Sequence, residues 1–565
     1  MNECPAPPGC ESAYAIMAGM TSVETGPARI PRPAGTDRLA RAAGLIAAST
    51  VASRGLGLVR DILIAAFFGA TSAKSAFVIA YSLPFFIQRL FMGGILSIVF
   101  IPAISTVLVR GDAKEIRRVV TTTLNLVLII GLAMAAAGVL AAPLLVPLAA
   151  PGYLRTNPAV LASAIGLTRI MFVSMVFLAL SAFVTGFLNA HHRFGVPALA
   201  PLVFNVVIIA TVAFLAPRWG IRGVAVSFLL GWAAQFAVQL PAARRAGLRW
   251  GGRLDLRHPV ILEMGRLALP AMLGLAVIEI NSNVDRFFAS FLPPRPAVDY
   301  VAVLDYAFTI NQAPVSIFAL SLATALFPTM ARRAAEGPEL LRETTSLGLR
   351  GILFTMVPVM AVMLTLSDLL VRVVFQRGAF DPRATHAVAL GLVGFAVGSV
   401  AYAGYYIVTR TFYALHDTRT PVRVGIYMIL LNALADVVLM RWLGHTGIAL
   451  STSIVALANV WWLSRILAQR LGGLDERAIF QTAVRTGVAG LALAAASLGT
   501  LWAAGKFVNA ETFGGAAAQL GAALFVGGAV YLGVCALLGV PELSLLRSFV
   551  RGRQTARPSR SPVGV

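Results

Sequence analysis

The sequence predicts an all-α polytopic membrane protein: two parallel six-helix bundles around a central cavity, followed by two further helices. Three observations predict it. Charge is scarce, apolar runs long enough to cross a bilayer recur along the chain, and a segment repeats at one constant offset. Over 565 residues, 58% are hydrophobic and only 12% charged. A soluble globular chain carries about 25% charged residues, so this one has too little polar surface to face water and must take lipid as its solvent.

A spanning helix needs about 20 mostly apolar residues. Before the first such run, residues 1–37 are polar and rich in Pro and Gly, without the basic-then-apolar order of a signal peptide. They are expected to form a disordered cytoplasmic tail, with Met17 and Met20 as alternative starts. About fourteen runs follow. The first six cover roughly 40–68, 76–107, 120–149, 158–190, 196–216 and 221–242. After a basic gap come 260–292, 300–330, 346–375, 384–414, 421–441 and 446–468, then 481–505 and 515–541. Several exceed the length needed, which implies tilt or extension beyond the bilayer. Pro84, Pro270, Pro314 and Pro358 fall inside runs, and each removes a backbone donor and is expected to kink its helix.

The formal net charge of +22 has a simple placement. Alternate gaps hold Arg110, Lys114, Arg117 and Arg118, then Arg244, Arg245, Arg249, Arg253 and Arg257, then Arg332, Arg333 and Arg342. Arg419, Arg423, Arg465, Arg470 and Arg477 continue the set, whereas the opposite gaps carry one or two cations each, such as Lys74, Arg155, Arg295 and Lys506. The first set is therefore expected to be cytoplasmic, with both termini on that side. A clustered basic face with interleaved aromatics, the mark of nucleic-acid binding, is not found. Cys4, Cys10 and Cys535 form no CxxC pair, so neither a zinc site nor a disulfide framework is expected.

The stretch His192–Ser227 matches His416–Ser451 without gaps. His192 aligns with His416, Pro197 with Pro421, Gly220 with Gly444, Gly223 with Gly447, Ala225 with Ala449 and Ser227 with Ser451, and Asp61 with Asp285 fits the same offset. Six runs separate the copies, so both face the same way. The expected division is a bundle at 38–245, a linker at 246–258, a second bundle at 259–470, two extra helices at 471–545 and a basic tail at 546–565. Parallel repeats about an axis normal to the membrane place a substrate cavity between them, as in alternating-access transporters.

No P-loop, HExxH or nucleophile elbow is present, so no enzyme is indicated and no cofactor is expected. His191 and His192 are expected in a cytoplasmic turn, not a metal site. The informative residues are ionisable groups inside apolar runs, each costing about 2.5–3.5 kcal/mol at a helix centre unless it faces water or a partner. The first run holds Arg54, Arg60 and Asp61, with Arg54 and Asp61 on one face. They either line a wet cavity or form an interhelix lock. The second run holds Gln88 and Arg89 just past Pro84. The seventh holds Glu279, Asn281, Asn283, Asp285 and Arg286. Asp285 and Arg286 pair either with Arg60 and Asp61 across the pseudo-axis or within their own bundle. Asp368 and Asp436, near run ends, are expected to snorkel to the interface. An arginine-rich cavity suits an anionic headgroup, because the guanidinium fork grips phosphate.

Several stretches resemble the MurJ/MviN family, the lipid II flippases of the multidrug/oligosaccharidyl-lipid/polysaccharide exporter superfamily. They are SRGLGLVRD (Ser53–Asp61) with FFGA (Phe67–Ala70), LP at Leu83–Pro84 with RLF (Arg89–Phe91), and FIPA (Phe100–Ala103). VDRFFASFL (Val284–Leu292), VFQRGAF (Val374–Phe380) and the most specific, TRTFYALHDTRTPV (Thr409–Val422), complete the set. The resemblance implies a fourteen-helix bacterial inner-membrane protein whose cavity holds the lipid II headgroup and whose last two helices form a groove for the lipid tail. It also implies alternating access driven by membrane potential or a coupling ion, without ATP. On it, Arg54, Arg60, Arg89 and Gln88 bind substrate, while Asp61, Glu279, Asp285 and Arg286 act as charge partners or in gating. The chain departs from the family where Gln88 replaces an arginine, and Ser75 and Gly93 replace acids. Phe308–Thr309 replaces an Asp-Arg pair and Gln312 a glutamate. These losses balance in sign and read as retuning. The expected partners are a lipid-linked peptidoglycan precursor, membrane lipids and a coupling ion. Rival readings are an exporter of another polyprenyl-linked lipid or an amphiphilic drug, and a non-transporting membrane scaffold.

Overall fold

The computed structural model describes residues 36–90, 112–251, 254–262, 264, 266 and 283–544. The first helices are α1 (Thr36–Phe68), α2 (Ser72–Leu90), α3 (Ala113–Ala149), α4 (Pro158–Ala190), α5 (Gly195–Trp219) and α6 (Ile221–Arg245). After a helical stretch at 283–289 come α7 (Tyr300–Pro314), α8 (Leu320–Glu336), α9 (Pro338–Thr365), α10 (Ser367–Phe375), α11 (Pro382–Ala396) and α12 (Ser399–Ala414). The remainder are α13 (Arg419–Leu443), α14 (His445–Leu471), α15 (Glu476–Ala504) and α16 (Phe513–Leu537). Among the described residues, 10 helices are long and apolar enough to cross a membrane, or 11 with the bent pair α11–α12 taken as one span. The runs at 76–107 and 260–292 fall partly outside the described residues, and so does Pro270.

The expected run 300–330 continues through a π-turn as one span, Tyr300–Glu336, whereas 346–375 is interrupted at Leu366 and 384–414 is bent. Pro314 leads into a π-turn, Val315–Ala319, that joins α7 to α8. Between α11 and α12 the chain bends by 44°. There the Ser453 hydroxyl accepts the Gly398 N–H at 2.9 Å and donates to the Gly394 carbonyl at 2.6 Å, so backbone groups released by the break stay satisfied. Pro84 and Pro358 lie inside continuous helices.

The sequence repeat is a repeat of local structure. Helices α5 and α13 both have 25 residues and stand at the repeat offset. His192 and His416 both adopt φ +56, and Gly220 and Gly444 adopt φ +57 and +58. A Cβ on Gly223 would lie 2.6 Å from the Leu215 carbonyl oxygen, and one on Gly447 would lie 2.2 Å from that of Leu439. Both glycines are therefore required for the same tight reversal. In the second copy, Asp417 accepts from the Arg419 and Thr420 N–H groups, the Thr420 hydroxyl and Arg470. Burial would raise its carboxyl, but the Thr420 and Arg470 hydrogen bonds win and bring it down to about 2, so this turn stays locked at physiological pH.

Among the described residues, helices α1 to α6 pack mainly on one another, as do α7 to α14, and the main helix contacts between the sets are those of α2 with α7 and α1 with α10. The apolar core follows this division. One cluster crosses between the sets at the end remote from the basic turns, the distal end, where Ile79, Tyr153, Leu304, Phe375 and Phe380 meet. Separate clusters hold each set together elsewhere: Val119, Phe183 and Phe187 in the first, and Met330, Phe412 and Leu463 in the second.

Helices α15 and α16 dock on α9. The Tyr531 hydroxyl donates to the Phe354 carbonyl at 2.8 Å, and Arg350 meets Glu542, 2% exposed, at 3.3 Å. Arg350→Ala would leave that carboxylate buried and unpaired, a change worth about 3–5 kcal/mol. The variant is expected to unfold at a markedly lower temperature in detergent, and Arg350→Ala with Glu542→Gln to recover most of the loss.

Candidate functional site: a latched and charged seam between the helix sets

The distal end is a latch built around Asp299. This residue caps α7 and is buried, with 2% exposure. Its carboxylate accepts the Ser72 hydroxyl at 2.9 Å, the Ser75 hydroxyl at 2.6 Å and the Tyr153 hydroxyl, all from the first helix set. Burial and the neighbouring carboxylate push the Tyr153 phenol well above its ordinary pKa, so it remains a donor. The Asp299 N–H donates to the Ala70 carbonyl at 2.8 Å, and Ser75 accepts the Ala302 N–H at 2.9 Å. Beside them Gly152 N–H donates to the Ser290 hydroxyl at 3.0 Å, and Ala379 N–H donates to the Ala66 carbonyl at 2.8 Å. Gly69 and Gly378 flank this last contact with φ +58 and +57. A Cβ on either would come within 2.4 Å of a carbonyl oxygen across the seam.

Charges lie just inside the latch. Lys74, 6% exposed, binds Asp305 at 3.1 Å and sits 4.8 Å from the Tyr306 ring centroid. Asp305 also receives Arg286 at 3.5 Å. On α1, Arg60 pairs with its neighbour Asp61 at 2.9 Å, reaches Asn205 at 3.4 Å and lies over the Phe228 ring.

A second polar cluster lies within the second helix set. Asp285 accepts from Asn432 at 2.9 Å and Thr452 at 2.7 Å. Asp436 is wholly buried and accepts from Asn432 at 3.0 Å and from the Ser451 hydroxyl. Asn432 thus bridges two carboxylates, and its own carbonyl oxygen is buried without a hydrogen-bond partner. The repeat shows how specific this is. At the offset that aligns Asp61 with Asp285, the positions of Asn432, Asp436 and Thr452 correspond to Ile208, Val212 and Phe228 in the first set.

The comparisons agree with this architecture. The family model for lipid II flippase MurJ matches residues 64–514. The chain belongs to the MurJ family. A probable lipid II flippase MurJ from Rhizobium meliloti is 30% identical over 437 residues, covering 75% of this chain and 80% of that protein. One from Vibrio cholerae is 28% identical over 439 residues, covering 76% and 82%. A solved lipid II flippase MurJ in an inward closed conformation superposes with a TM-score of 0.73 at 23% identity, covering 89% of this chain and all of that one.

The structure places the expected site residues of this MurJ-family chain unevenly. Arg60 and Asp61 meet each other, whereas Arg54 is exposed on α1 with no ion pair or hydrogen-bond partner among the described residues. Asp285 and Arg286 both bond within their own set, one of the two alternatives the sequence left open. Glu279 and Gly93 lie outside the described residues, as do the side chains of Gln88 and Arg89. Asp368 is 57% exposed beside His386, in keeping with an interfacial position, but Asp436 is not: hydrogen bonds from Asn432 and Ser451 hold it in the interior. Sequence reasoning missed Lys74, Asp299 and Asp305. Lys74 was counted as a loop cation, yet it pairs across the seam. The available signal was an acid five residues into an apolar run, Asp305, facing a set with a surplus cation.

Proposed function

We propose that this chain flips lipid II from the cytoplasmic to the outer leaflet by alternating access, for cell-wall synthesis. The family match over residues 64–514 carries the substrate. The latched distal end supports the mechanism, since among the described residues the contacts between the two sets gather there. With the basic turns cytoplasmic, the latch lies on the outer side, and in this reading the substrate enters from the inner one. In this reading the chain has fourteen spans in two six-helix bundles plus two C-terminal helices, and both termini are cytoplasmic. Arg60, Arg54 and Arg89 grip the diphosphate, with Gln88 beside them. Asp61 holds Arg60 until phosphate competes for it.

Release on the outer side requires the Asp299 latch and the Lys74–Asp305 pair to part, and that transition needs a driving ion. The Asp285–Asn432–Asp436 cluster supports a coupling cation. Its donors are all oxygen, one of them unpartnered, which suits a hard monovalent cation or a proton. Asp436→Asn is expected to leave the protein folded but to abolish the dependence of transport on a cation gradient, measured in vesicles with the gradient imposed or collapsed.

The function itself is tested by rescue of cells depleted of their own lipid II flippase. Growth should be restored by the full chain; failure by a well-expressed and inserted protein would exclude lipid II as its substrate.

A further inference from the structure

The second helix set contains a cavity that the diphosphate reading does not use. It has a volume of ≈ 120 Å³, and its lining includes Asp285, Phe308, Tyr402, Tyr405, Tyr413 and Asn459. Among the described residues the lining holds four aromatic rings and one carboxylate, and no lysine or arginine. An anionic headgroup would meet no cation in it. Lys74 and Arg286 are both committed to Asp305, and Asp285 makes no direct ion pair among the described residues. Asn459 adds a buried side-chain oxygen without a hydrogen-bond partner. A further small cavity, lined by Asp285, Arg286, Asp305 and Phe308, extends the polar wall toward the seam.

We propose that this cavity is a binding site for an organic ammonium group, separate from the arginine-bearing face of α1. The chemistry is that of an aromatic cage: ring faces attract a weakly hydrated cation, and a carboxylate at the wall fixes its position. Phe308 is part of the case, since an acid or arginine there would replace a ring by a charge. The ammonium reaches the site either on a free amphiphilic amine or on a lysine-type side chain of a peptide. Both present the same head to the same wall. Asp285 also belongs to the acid cluster, so an organic cation and an inorganic one compete for it.

The test is calorimetric titration of the purified full-length chain in a potassium buffer with benzyltrimethylammonium, with its neutral isostere neopentylbenzene, and with Nα-acetyl-lysine amide. Benzyltrimethylammonium is expected to bind and neopentylbenzene not to bind. Binding of the lysine amide as well would identify the peptide source; its absence would identify the free amine. Tyr405→Leu is expected to weaken binding about tenfold, because a desolvated ring face is lost, whereas Tyr405→Phe keeps the ring and the affinity. Asp285→Asn should weaken it at least as much, and the Tyr405 pair gives the answer even if that variant fails to fold. Equal binding of the neutral isostere, no binding of either cation, or unchanged affinity in Tyr405→Leu would overturn the proposal.

Discussion

Arg60→Ala is expected to abolish lipid II transport in membranes where the protein is still inserted. Arg60 directs both Nε and a terminal nitrogen at one Asp61 oxygen, each at 2.9 Å, from a half-buried position on α1. A diphosphate arriving in the seam would take over this fork. Two charge-assisted hydrogen bonds at about 1.5–3 kcal/mol each amount to roughly a hundredfold in rate or more. The same substitution leaves Asp61 without its cation, so loss of transport alone does not separate a lost grip from lost folding. Arg60→Ala with Asp61→Asn separates the two: it should restore the amount of folded protein in the membrane and leave transport absent. Arg60→Lys keeps the charge without the fork and should fall between. A wild-type rate in Arg60→Ala would remove Arg60 from the substrate site.

Asp299→Ala is expected to open the distal end. The carboxylate is the common acceptor of three hydroxyls from the other helix set, those of Ser72, Ser75 and Tyr153. Its removal leaves these buried donors unsatisfied at about 1–3 kcal/mol each. Against a two-state equilibrium, roughly 1.4 kcal/mol is tenfold, so the closed form should lose its dominance. The measurement is a distance distribution between spin labels at Arg155→Cys and Arg295→Cys, on exposed distal turns of the two sets, with Cys4 and Cys10 replaced by serine. The native protein should give a short, narrow distribution and Asp299→Ala a longer, broader one. Identical distributions would show that the contacts around Gly152, Gly69 and Gly378 hold the end shut without it.

Much of the fold could be read from the sequence because lipid imposes few choices. Backbone groups in hydrocarbon must bond within a helix, so apolar length alone marks the helices, and α3 to α6 and α13 to α16 fall where the runs lie. The repeat was legible for a related reason. Gly220, Gly223, Gly444 and Gly447 are fixed by backbone geometry that no other residue meets cheaply, so they persist while the helix faces around them diverge.

The site was less legible, and the reasons are physical. Composition cannot tell a charge at a helix end from one buried across an interface. Lys74 begins a helix after a short turn and looks solvent-facing, but the opposite helix set covers it. Asp436 lies near a run end as a snorkelling acid would, yet the α13 face that carries it also carries Asn432 and is packed against α14. Ser75 was read as the loss of an acid. In the structure it is a latch donor, and the acid stands opposite it as Asp299. Pairings between the two sets depend on register across a seam, which a helical period does not encode.

This chain is expected to move lipid II between leaflets. The most direct measurement uses liposomes containing fluorescent lipid II, reconstituted with the purified full-length protein under an imposed cation gradient. An impermeant reductant added outside then quenches every label that reaches the outer leaflet. The protected inner pool is expected to be quenched in liposomes with the native chain, and to stay protected in empty liposomes and in those with Arg60→Ala/Asp61→Asn. A protected pool equal to that of empty liposomes, with the native protein folded and the gradient intact, would contradict this expectation.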